Sequence, residues 1–102
     1  MSTVAAGIRI ALSGLFGSDG RYFEFTHPLT LEIEQDAEGV WHHRLPDLDI
    51  WSFGATREES YLGLCDLLEG DYDTFTIRPD EQLEKEAHRL KQLQLQNIKR
   101  VV

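Results

Sequence analysis

LTLEIEQDAEGVWHHRLPDLDIWSFGATREES, residues 29 to 60, is the stretch whose reading decides the fold. Leu29, Leu31 and Ile33 alternate with Thr30, Glu32 and Glu34, a period of two that puts apolar side chains on one face of a strand and polar ones on the other. Asp36-Ala37-Glu38-Gly39 supplies a turn with a glycine available for positive φ, and Val40 to Leu45 returns as the second arm of a hairpin. Pro46 has no N–H to give to a ladder, so the chain bends or reaches a sheet edge there; DIWSFG then reads as a third extended segment. Thr56-Arg57-Glu58-Glu59 has the T-x-x-E spacing of a capping box, whose side chains satisfy backbone donors orphaned at a helix start.

Beyond Thr56, the residues Tyr61, Leu64, Cys65 and Leu68 recur at helical spacing and form an apolar stripe suited to packing on a sheet, widened by Leu62 and Leu67. Gly70-Asp71 offers a stop, and DTFTI, residues 73 to 77, alternates as a last short strand. Pro79-Asp80 opens a C-terminal helix running to residue 102, with Leu83, Ala87, Leu90 and Ile98 on one face and Glu81 set four residues before Lys85. Glutamines dilute that face, which suits packing along a neighbour or a second subunit. Upstream, YFEF alternates and His27-Pro28 restricts the backbone to extended or turn geometry. Residues 1 to 21 read as an N-terminal arm, within which IRIAL fits a short strand or a helix start equally and GLFGSDGR marks a loop. The expected architecture is α+β: a small antiparallel sheet in a β-β-β-α-β core over residues 22 to 78, followed by a helix over 79 to 102.

Totals bound the function. With 102 residues and 41% hydrophobic content, one domain with one core is expected. The single cysteine, Cys65, forms no intramolecular disulfide and has no second thiol for a zinc site; this fits a reducing compartment, so the cytoplasm is the expected location. No run approaches the ~18 apolar residues of a membrane-spanning helix, and the apolar Ile8 to Phe16 segment lacks the basic start and cleavage site of a signal peptide. Residues 1 to 80 hold five Arg and no Lys against fifteen Asp and Glu, a balance of −10, whereas residues 81 to 102 hold five basic and three acidic side chains, a balance of +2. Such a body repels phosphate backbones and steers basic partners toward itself.

Several groupings could carry chemistry. Asp47 and Asp49, two apart in an extended segment, share a side of the chain; with Glu58, Glu59 and Asp66 they could hold a divalent metal, or they could mark a turn after Pro46 and an exposed acidic patch. The second reading is the expectation. His42 and His43 are adjacent, so in a strand they point to opposite faces and make a poor chelate; no metal site and no cofactor are expected. Cys65 lies on the apolar stripe and reads as a buried thiol. Trp51, a large aromatic among acids, suits an interface anchor. No nucleophile-elbow, phosphate-loop or zinc-protease motif is present, so the chain is not expected to be an enzyme.

Residues 23 to 77 resemble the HicB-like antitoxin family. The resemblance rests on LEIEQDAEG, the Leu-Pro-Asp-Leu motif at Leu45 to Leu48, the pair Phe53-Gly54 and the Thr56-x-Glu58-Glu59 helix start. It implies a partial ribonuclease H-like core and a non-enzymatic protein that neutralises a small basic ribonuclease toxin by covering its RNA-facing surface. Many members add a DNA-binding helix-turn-helix or ribbon-helix-helix segment, whereas residues 79 to 102 read as one helix, so operator binding is not expected here. On this reading Asp47, Asp49, Trp51, Glu58 and Glu59 contact the partner, the acids through charge-assisted hydrogen bonds and the tryptophan through buried area. Sheet edges in so small a module favour a homodimer. The alternatives are a stand-alone adaptor with no toxin and a magnesium-dependent nuclease built on Asp47 and Asp49.

Overall fold

The computed structural model describes residues 4–102. It is an α+β structure with one antiparallel sheet of five strands and two helices: β1 (Val4–Phe16), β2 (Tyr22–Asp36), β3 (Trp41–Leu45), β4 (Ile50–Gly54), α1 (Arg57–Ile77), α2 (Lys85–Asn97) and β5 (Ile98–Val101). The strands β1-β2-β3-β4 lie side by side in that order. β2 carries β1 along one flank; its other flank takes β3 at Glu32–Gln35 and β5 at Phe23–Phe25. The intervening Thr26-His27-Pro28 coincides with a register shift, in agreement with a proline that cannot donate to a ladder.

The hairpin read from residues 29 to 45 forms with the expected alternation. Leu29, Leu31 and Ile33 are buried on the inner face, and Asp36 accepts the Glu38 and Val40 N–H groups in a turn where Gly39 has φ +88°. α1 covers the inner face of β3 and β4 through Ser60, Leu64, Cys65 and Leu68, which meet Leu45, Leu48 and Ile50 in one core. Leu62 and Leu67 are exposed and do not widen the packed stripe. The T-x-x-E box caps α1 in a shifted form: Thr56 Oγ1 accepts the Glu59 N–H at 3.1 Å, and the Glu59 carboxylate accepts from Ala55 N–H at 3.0 Å. Gly54 is required at this junction, because a Cβ there would stand 2.8 Å from both Glu59 Cβ and Ser60 N.

Three expected elements differ. The N-terminal arm is instead β1, paired with β2 over most of its length; residues 1–3 of the arm lie outside the described residues. Alternation over IRIAL was too short to decide, and long-range pairing with β2 decided it. DTFTI is the end of α1 and not a strand. Tyr72 packs edge-on against Phe23 at 5.3 Å and Asp73 binds Arg21 of the β1–β2 turn, so tertiary contacts hold the segment helical. The C-terminal segment is a short 3-10 turn, α2 and then β5, which fills the flank of β2 that β3 does not reach.

Candidate interaction surface along the β4 edge

Among the described residues no helix covers the outer face of the sheet where β3 and β4 lie, and two registered rows of residues cross it. One runs Arg9, Glu32, Arg44, Trp51 and the other Gly7, Glu34, His42, Phe53. Arg9 pairs with Glu32 at 3.3 Å and Arg44 with Glu34 at 2.8 Å, and the Arg44 guanidinium stands 5.9 Å from the Trp51 ring centroid. His42 stacks on Trp51 with ring centroids 5.7 Å apart and also contacts Phe53. Trp51 Nε1–H donates to His42 Nδ1 at 3.1 Å, while His42 Nε2 meets Asp36 Oδ2 at 2.9 Å. Those contacts make Nδ1 the acceptor from Trp51 and leave Nε2 to face Asp36. The His42 bond and two backbone donors hold the Asp36 carboxyl below its usual range.

Despite these contacts Trp51 is 51% exposed and Phe53 65% exposed. An aromatic strip held in place by cross-strand partners and left open to solvent has the makings of an interface anchor: its rotamers are already restricted, so little ordering entropy remains to be lost on binding.

The five residues expected to contact a partner bracket this strip. Asp47 and Asp49 precede β4, Trp51 lies on it, and Glu58 and Glu59 follow it, so the two acidic pairs sit at opposite ends of a strand spanning roughly 13 Å. Asp47 and Asp49 are in a 3-10 turn, Pro46–Leu48, with Asp49 left-handed at φ +53°. They do not share the side of an extended strand; the turn reading of Pro46-Asp47 is the one the fold adopts. Asp49 is engaged by Arg89 of α2 at 2.5 Å, and Glu59 is committed to the α1 cap. The carboxylates of Asp47 and Glu58 have no ion-pair partner among the described residues, and Glu58 lies toward the inner side, at the rim of a groove beside β1. The sequence names Phe53 only in the Phe53-Gly54 pair and His42 only beside His43 as a poor chelate, and neither is among the expected contact residues. The alternation W-S-F does place Phe53 beside Trp51, but the partnership of His42 with Trp51 depends on strand register.

The other polar groups are structural. His43 is buried under α1, its Nδ1 2.7 Å from Ser60 Oγ, and Ser60 donates to the Ser52 carbonyl at 3.3 Å. Ser60 is completely buried, so this serine-histidine contact offers no accessible nucleophile. Cys65 is buried, and burial pushes its thiol up. Among the described residues, no three His, Cys, Asp or Glu side chains are grouped closely enough to hold a metal ion, and no helix is long and apolar enough to cross a membrane.

No protein-family model, curated protein or solved structure matches this chain.

Proposed function

We propose that this chain is a non-enzymatic binding protein that docks a small basic protein along the β4 edge, with Trp51 and Phe53 as anchors. The observation that carries this reading is the exposure of both aromatics on a sheet face that no helix covers among the described residues. Exposed aromatics that cluster and keep fixed partners contribute most of the energy in many protein interfaces. The charge pattern supports a basic partner: Arg9, Arg21 and Arg44, which are all the Arg and Lys residues before Arg57, are each tied to a carboxylate, while Asp47, just before β4, has no ion-pair partner among the described residues. On the resemblance of residues 23 to 77 to HicB-like antitoxins, the partner is a small ribonuclease toxin and binding neutralises it by covering its RNA-facing surface. Its expected place of action is the cytoplasm.

Affinity capture of the tagged chain, co-expressed with the product of any small basic reading frame beside its gene, tests the proposal. The expected result is a stoichiometric basic companion that is released as salt rises, loses its ribonuclease activity in the complex, and is no longer retained by the Trp51→Ala/Phe53→Ala double variant. A companion held equally well by that variant would show that the β4 edge is not the docking surface. A captured companion with no ribonuclease activity would favour the adaptor reading.

A further inference from the structure

The inner face of the sheet is only half covered. Among the described residues α1 lies over β3 and β4, whereas β1 packs chiefly on β2 and has little helix contact. Ile8, Ile10 and Leu12 stand opposite Ile33, Leu31 and Leu29 and share their inward face, yet Ile8 is 46% exposed and Ile10 37% exposed. Phe16, tilted against Tyr22 with ring centroids 4.9 Å apart, is 58% exposed. The result is an open apolar groove of about 610 Å³, floored by β1 and β2 and walled by Arg57, Glu58 and Tyr61 at the start of α1. β1 is thus an edge strand of the sheet with part of its aliphatic row in water.

We infer that a second copy of this chain covers the groove, its β1–β2 ribbon packing apolar face to apolar face against the first about a two-fold axis. Charge selects this occupant. Residues 1 to 18 contain no Asp or Glu in a chain that carries eighteen, and the floor residues are uncharged. A basic protein would lose hydration over a floor that offers no carboxylate to compensate it, and two strongly acidic chains meet here, on a groove floor without acids, without opposing their acids. The rim holds one side chain of each sign, Arg57 and Glu58, so it adds no net repulsion. Symmetry completes the argument: the surface that needs covering is itself a flat aliphatic strand face, and a two-fold contact buries both copies of it in one self-complementary interface. Stacked sheet faces lie about 10 Å apart, the depth that Ile and Leu side chains from two facing strands fill. The interface is on the opposite side of the sheet from Trp51 and Phe53, so the dimer leaves both outer faces open.

Sedimentation equilibrium over a range of protein concentration tests this directly. The wild-type chain is expected at twice its chain mass, and Ile10→Glu is expected to weaken self-association by at least about tenfold with far-UV circular dichroism unchanged. If Ile10→Glu fails to fold, Phe16→Ser, at a side chain already largely in solvent, is expected to show the same weakening. Because Cys65 is buried, an Ile10→Cys variant has one reactive thiol and is expected to cross-link into dimers with a short bis-maleimide, whereas Leu95→Cys, on α2, is not. A wild-type chain that stays monomeric, or a dimer unaffected by both Ile10→Glu and Phe16→Ser, overturns the inference. So does native mass spectrometry showing a monomer that retains a small apolar molecule. Ile10→Glu retains the partner-binding strip and Trp51→Ala retains the dimer face, so failure of either proposal is seen separately.

Discussion

Trp51 donates its indole N–H to Nδ1 of His42 at 3.1 Å with the two rings nearly parallel, so an exposed tryptophan is tied to the neighbouring strand. In a Trp41→Phe background, where Trp51 is the sole indole, His42→Ala removes both the acceptor and the stacked ring, and is expected to red-shift Trp51 emission and lower its anisotropy at neutral pH with far-UV circular dichroism unchanged. Unchanged anisotropy in His42→Ala would show that His42 does not hold the indole.

His43, one residue on, has the opposite environment. Burial, reinforced by the Arg57 cation, holds its imidazole below the ordinary 6.5. The unfolded chain therefore binds this proton first, and the stability contributed by neutral His43 is present above pH 6.5 and is lost as pH falls through its lower folded value. Denaturant midpoints are expected to decline through that window in the wild type and to flatten in His43→Gln. Ser60→Ala, which leaves Nδ1 of His43 without its partner, is expected to cost about 1–3 kcal/mol at neutral pH.

Gly54 joins β4 to α1 at a spacing that no other residue fits. Gly54→Ala is expected to destabilise the fold by about 1–3 kcal/mol, because a methyl 2.8 Å from Ser60 N forces the helix start away from the strand. Equilibrium urea unfolding checks this. Gly70→Ala is the control: nothing stands within 4 Å of its added Cβ, so helix propensity is expected to make the change stabilising by up to ~1 kcal/mol.

Two aspartates on α1, Asp71 and Asp73, are expected to act on stability with opposite signs. Asp73 receives a two-point contact from Arg21 at 2.8 and 2.7 Å that holds its carboxyl below the usual range. Its contribution is present above pH 3.8 and is lost as pH falls through the folded value. Arg21→Gln is expected to shrink that acid loss. Burial pushes Asp71 up, so its ionisation opposes folding as pH rises. Asp71→Asn is expected to raise the urea midpoint at neutral pH, with the advantage disappearing in acid.

The α+β class, the 29–45 hairpin, the capped start of α1 and the Leu64-Cys65-Leu68 stripe were legible in residue order, because each rests on local periodicity or a fixed side-chain-to-backbone spacing. The expected contact residues fell on consecutive segments, and the structure sets them around a single strand. Asp49 and Glu59 proved already engaged, by Arg89 forty residues away and by the helix cap, and only the first of those engagements was hidden from sequence.

What the order of residues determined by itself was therefore the local half of the protein: alternation, turn chemistry and caps act over a few positions and need no distant partner. Tertiary structure decided whether IRIAL and DTFTI became strand or helix, where residues 98–101 went, and which side chains stand beside Trp51. Five-residue alternations are compatible with either backbone, and the choice is made by whichever long-range partner, β2 for IRIAL or Arg21 and Phe23 for residues 72–77, buries more surface and satisfies more polar groups.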